Sequence, residues 1–162
     1  MSVSVNYAAT VTVAETLDSN VLSAPDTTRV ITHTSFNETA VLHASSTPPV
    51  NKVAEFLLTL TAGSGSIDLR SLTGTNGASV DGNGLKVQVI RIKNLGENPM
   101  TFIDGATNGY PVFGDGNPLE IPVGGHIQLY GNDKLPDVSS TAKIVDVTGT
   151  GSQTAEVTIV LG

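Results

Sequence analysis

The chain has 162 residues, no cysteine, no tryptophan and 4% aromatic residues, and eight Lys plus Arg against fifteen Asp plus Glu leave a formal net charge of -7. Without cysteine there are no disulfides, thiolate metal centres or thiol nucleophiles, and the acidic balance opposes nonspecific attraction to nucleic acid or anionic lipid, so neither polymer is an expected partner. The length suits one domain, residues 1–162, with a core of Val, Ile, Leu and Ala; no run approaches the ~20 apolar residues of a membrane-spanning helix.

Met1-Ser2-Val3-Ser4-Val5 carries no basic stretch followed by an apolar one, so synthesis in the cytosol without a Sec-type leader is expected. Residues 2 to 13 alternate, with Val3, Val5 and Tyr7 on one face and, after Ala8-Ala9, Val11 and Val13 in a second short run. This predicts one or two edge-like strands, with 1–13 also readable as an N-terminal arm. Glu15 to Thr28, with Asp18, Asn20, Pro25 and Asp26, reads as a loop with at most one helical turn. Arg29–Thr34 and Thr39–Ala44 read as two strands joined at Ser35-Phe36-Asn37-Glu38, a hairpin spacing.

Residues 50 to 58 fit two patterns. Val50, Val53, Ala54, Leu57 and Leu58 follow helical spacing, whereas Ala54, Phe56, Leu58 and Leu60 alternate. Pro48-Pro49 before the segment, Thr59-Leu60-Thr61 within it and Gly63-Ser-Gly65 as a stop favour a strand over about 53–62, with a short helix as the other choice. After Ile67 and Leu69, the Asn-Gly and Asp-Gly steps in Gly74–Gly77 and Asp81–Gly84 supply the positive-φ residues of tight turns. In Leu85–Lys93, Leu85, Val87 and Val89 face one way and Gln88, Ile90 and Ile92 the other, so each face is apolar in part and a bulge or a shift in burial is expected near Ile90. Strands follow at 100–103, 119–123, 126–130, 142–147 and 154–161. About ten short strands without room for crossover helices give an all-β, single-domain antiparallel β-sandwich of jelly-roll-like form.

Catalysis requires a nucleophile, a base and an orienting group brought together, and the inventory is thin. His33 and His43 fall opposite each other in the proposed hairpin, a conceivable two-histidine metal site set against ordinary surface histidines. His126, after Gly124-Gly125, has no acidic partner at a telling spacing. Gly63–Ser66 and Gly149–Ser152 lack the lysine and following helix of a phosphate cradle and read as turns. Asp81-Gly-Asn-Gly84 and Asp115-Gly-Asn117 begin like calcium loops but lack the later ligands. Asn37-Glu-Thr39 matches a glycosylation acceptor without a secretion signal, and Ser139, His126 and Asp137 lack a nucleophile elbow. No residue is therefore assigned as catalytic, cofactor-binding or metal-ligating, and no cofactor is expected.

The stretches Ile67–Gly74, Gly84–Asn94, Gly105–Tyr110 and Ile121–Gly125, with the closing strand after Gly149–Ser152, resemble small β-rich virion proteins of tailed bacteriophages, of the head decoration (cement) or auxiliary type. The resemblance spans about residues 66–162, is one of style and fixes no functional residue. It implies a non-enzymatic protein on the virion surface that stabilises a capsid by binding the major capsid protein shell and copies of itself, as a homotrimer. Residues 1–13 would then be free to pair with a neighbour's sheet edge. A tail or fibre component is the nearest alternative, followed by a carbohydrate-binding module with Tyr110 as its stacking residue, and by a hydrolase assembled from Asp104, Asp115, His126 and Asp133.

Overall fold

The computed structural model describes residues 3–17, 29–32 and 36–162, with backbone alone at 15–17 and 29–32. Within them the chain is all-β, without a helix. Eight strands form two packed four-stranded antiparallel sheets. Sheet I has the order β12 (His126–Tyr130), β9 (Val87–Asn94), β14 (Thr154–Leu161), β5 (Lys52–Thr59); sheet II has β11 (Leu119–Ile121), β10 (Met100–Asp104), β13 (Ile144–Thr148), β6 (Ser64–Asp68). The pairing is nested: β5 lies beside β14, β6 beside β13, β9 beside β12 and β10 beside β11. A two-stranded ribbon of β7 (Leu72–Thr73) and β8 (Ser79–Val80) turns through Gly74–Gly77.

The alternation of β-branched residues decides which faces meet. Ala54, Ile90, Ile92, Val157 and Ile159 from sheet I close against Ile67, Phe102, Val145 and Val147 from sheet II, all at most 2% exposed. With few rings available, Phe102 and Tyr110 are the largest side chains inside. Tyr110 sits at one end of the sandwich, where its hydroxyl donates to Pro136 O (2.8 Å) and accepts from Val87 N (3.2 Å). Burial pushes its pKa up to about 12, so it stays neutral. The glycine-rich turns close another part of the body against each other: Gly63 N donates to Gly151 O (2.7 Å) and Gly149 N to Gly63 O (2.9 Å). Gly63 has φ +81°, and a Cβ there would lie 2.7 Å from Gly149 O, so only glycine fits.

Several sequence expectations hold and several need correction. Residues 52–59 form the expected strand, though the chain turns at Ala62 and Gly63 and Ser64–Gly65 already belong to β6. The bulge predicted near Ile90 falls at Gln88: β14 pairs Val160 with Val89 but Leu161 with Val87. The extra residue brings Val87 onto the same inner face as Ile90 and Ile92. The buried Gln88 amide is held by Gly162 O, the Asp133 carboxylate and Asp133 N.

The expected hairpin between 29–34 and 39–44 does not form. β4 (Phe36–His43) pairs with β1 (Ser4–Val11), and β3 (Arg29–Thr32) pairs with β2 (Ala14–Leu17). Phe36–Glu38, expected in the turn, is strand. β1 continues through Ala8-Ala9 without the expected break, and residues 14–17 are strand, whereas the loop was expected to begin at Glu15; Asp18–Thr28 lies outside the described residues. Ser4–Val11 and Phe36–His43 thus form one antiparallel two-stranded ribbon, and Ala14–Leu17 and Arg29–Thr32 a second, separate strand pair.

Candidate functional site

The ribbon has two unlike faces because side chains alternate along a strand. On one face β1 places Val5, Tyr7, Ala9 and Val11, and β4 places Leu42, Ala40, Glu38 and Phe36 opposite them. The other face carries Ser4, Asn6, Thr10, Asn37 and Thr39 together with Ala8 and Val41. Near its base the apolar face packs on the outside of sheet I. There Leu42 and Val50 are buried with Val89 and Val160, flanked by Val3, Val5, Tyr7, Val53 and Tyr130. The rings of Tyr7 and Tyr130 lie 5.0 Å apart at 31°, and burial, then the neighbouring Tyr7, raises the Tyr130 pKa.

Beyond Tyr7 the ribbon follows the edge strand β12. The Gln128 side chain donates to Ala8 O (3.3 Å), tying the two together. Among the described residues the edge has no strand partner: Asn94 N donates to Gly125 O and Gly131 N to Gln88 O, so alternation turns the backbone groups of His126, Gln128 and Tyr130 away from β9. Two clefts open between ribbon and edge. One, of about 370 Å³, lies between Tyr7, Glu38 and Ala40 on one side and Tyr130 and Asn132 on the other. The second, of about 440 Å³, has Val11 and Phe36 on the ribbon wall and His126 and Gln128 on the strand wall. Here the apolar face has outrun its own support: Val11 is 60% exposed, Val13 52% and Phe36 53%.

Sheet I is likewise only partly covered. Its outer face is ruled in rows by the strand registers. The row Tyr130, Val89, Val160, Val53 lies under the ribbon; two residues further along, Gln128, Arg91, Thr158, Glu55 and then His126, Lys93, Glu156, Leu57 remain at least partly open. Arg91 bonds Glu156 at 2.9 Å, and this bond, with the Arg91 charge, holds the Glu156 carboxyl below its ordinary value. Leu57 is 58% exposed.

The residues considered from sequence are not gathered here. His33 lies outside the described residues; His43 pairs in register with Ser4 and its Nδ1 is 3.0 Å from Ser45 Oγ. No group of three or more metal-ligating side chains occurs among the described residues. Asp81 accepts Asn83 N (2.9 Å) and Asn117 Nδ2 donates to Asp115 O (3.0 Å), so both calcium-like stretches are self-satisfied turns. His126 stands at one end of β12, whereas Asp133, bridged to Lys86 at 3.4 Å, lies past the other, and Asp137 pairs with Lys86 there. Neither the Ser139/His126/Asp137 set nor the Asp104/Asp115/His126/Asp133 set converges; Asp104 instead accepts Gly116 N (2.8 Å), and Ser139 Oγ accepts the amides of Thr141 and Ala142. Tyr110, the expected sugar-stacking ring, is fully buried and cannot meet a ligand face. Asn37 is exposed on the ribbon, its Oδ1 accepting from Thr10 Oγ1.

Phe36 and Glu38 were hidden to sequence reading by their assignment to a turn. The alternation Phe36, Glu38, Ala40, Leu42, continuous with the strand that follows, is the signal that places them on one face. No protein-family model, curated protein or solved structure matches this chain.

Proposed function

We propose that the chain is a non-enzymatic structural protein of a phage virion that decorates and stabilises the capsid shell, using the ribbon as its assembly element. The observation that carries this reading is the overhanging apolar face: Val11 and Phe36 continue a face that buries Leu42 and partly buries Val5, Tyr7 and Ala40 at its base, yet are themselves more than half exposed. An amphipathic strand pair that stays open on its apolar side is a surface built to be covered by a partner. The nested strand pairing supports a jelly-roll reading of the sandwich, an architecture that recurs in viral capsid and lectin domains. Fold analogy alone does not assign function; the open ribbon face is what favours assembly, and the burial of Tyr110 weighs against the sugar-binding alternative.

The test is association with particles. An antibody to the recombinant chain is expected to detect it in intact particles purified from the culture that makes it, in constant proportion to the shell protein. Phe36→Asp is expected to remove it from the particles without unfolding it. A chain absent from particles overturns the virion assignment.

A further inference from the structure

We infer that the partner of the overhanging ribbon face is a second copy of this chain, which receives it on the open part of the outer face of sheet I. The inference rests on the reading of the ribbon as an assembly element and names what it assembles with.

Three observations converge on one occupant. First, each surface is the unused continuation of an interface already present within the chain. The ribbon's apolar face docks on the Tyr130, Val89, Val160, Val53 row and then runs on uncovered as Val11 and Phe36. The sheet's outer face, having received the ribbon base, runs on uncovered to Leu57. Second, the two unused parts cannot meet in one molecule. Val11 and Phe36 face the β12 edge, whereas Leu57 lies on β5, three strands across the sheet, roughly 14 Å away at the ordinary strand spacing. Third, the open face, which carries Arg91 and Lys93 beside Glu55 and Glu156 and is not itself net acidic, offers one cation to the ribbon's carboxylate. Glu38 is on the same ribbon face as Val11 and Phe36, and Lys93 is on the same row as Leu57. Among the described residues neither is in an ion pair, although Lys93 helps to hold the Glu156 carboxyl down. A ribbon laid on a second sheet covers Leu57 with Phe36 and Val11 and sets Glu38 toward Lys93. The net charge of -7 works against close approach of two copies, so association is expected to strengthen as salt screens it.

Such a contact joins unlike surfaces, arm to face, and this makes complementation the decisive experiment. Light scattering on the purified full chain across a wide range of concentration is expected to give a mass of at least twice 16.7 kDa. Phe36→Asp, which spoils the arm, and Leu57→Asp, which spoils the face, are each expected to give the monomer mass while keeping the wild-type melting temperature, since both sites are exposed. Mixed together, the two variants retain one good arm and one good face, and are expected to form dimers that neither forms alone. A wild-type chain that stays monomeric at all concentrations and salt levels overturns the inference. So does a mixture that remains monomeric, or an oligomer indifferent to both substitutions. A monomer that still binds particles through Phe36 overturns the second copy as partner while leaving the ribbon as an assembly element; an oligomer found in no particle overturns the virion assignment alone.

Discussion

The sandwich body and the ribbon are built from the same kind of strand yet meet their obligations differently. In the body, each strand of the nested set has its apolar face closed by the opposite sheet, and the buried amides are satisfied within the chain. Asn94 donates to Asn98 O, Ile121 O and Pro122 O and accepts from Gly96 N; Gln153 joins Asn98 O to Thr150 N. In the ribbon, each strand has a single strand neighbour among the described residues, and the far part of their apolar face is exposed. An isolated two-stranded ribbon is marginal in water, so the base anchored by Leu42 and Val50 holds it. One region closes its hydrophobic surface within the fold, and the other leaves part of it exposed.

Substitutions separate these two regimes. Phe102→Ala empties the centre of the sandwich and is expected to cost about 3–5 kcal/mol, read as a lower urea midpoint with unchanged slope. Leu42→Ala at the ribbon base is expected to cost about 2–3 kcal/mol, because the ribbon can settle onto the smaller side chain. Hydrogen exchange sharpens this comparison: amides of β1 and β4 should lose protection while those of β9 and β14 keep theirs. Equal loss in both would show that ribbon and body unfold as one unit. Tyr110→Phe removes a donor to Pro136 O and an acceptor for Val87 N, and is expected to lower stability by about 1–3 kcal/mol in the body alone.

The smallest effect comes from acid. Burial alone would raise Asp68, but its bonds to Lys143 Nζ (2.9 Å) and Arg70 N and the charges of both residues outweigh this and hold it below 3.8; Glu156 lies below 4.5 beside Arg91. A depressed carboxylate stabilises the fold above its unfolded pKa, and that contribution is lost as pH falls through the folded value. Melting temperature should therefore be level near neutrality and fall below about pH 4. Lys143→Met, which removes the main partner of Asp68, should make that fall shallower. Both pairs belong to the body, so the acid loss should appear in β6, β9 and β14 before the ribbon.

The body was legible because its periodicities are strong and local. The alternation in β14, the choice of strand over helix for β5 and the need for a bulge in β9 all follow from which residues can share a face. Both alternatives read at Ile90 occur nearby: the bulge falls two residues earlier, at Gln88, and burial shifts because Val89 on the outer face lies under the ribbon. The ribbon was misread. Residues 29–34 and 39–44 alternate equally well in either pairing, and nothing local indicates that each would rather lie beside a strand from the first seventeen residues. Tyr110 was misplaced because a tyrosine next to Asn108-Gly109 resembles an exposed turn residue, and only the sheet ends reveal Pro136 O waiting for its hydroxyl.

The nested pairing also sets an order of events during synthesis. β14 lies between β9 and β5 in the middle of sheet I, so no chain shorter than about residue 154 can complete that sheet. The ribbon strands β1 and β4 are made before any strand of the sandwich, yet the surface they dock on includes Val160 of β14, made after the other seven sandwich strands. Until β14 is made the seat is incomplete, and the apolar face of the ribbon has nothing of its own fold to dock on.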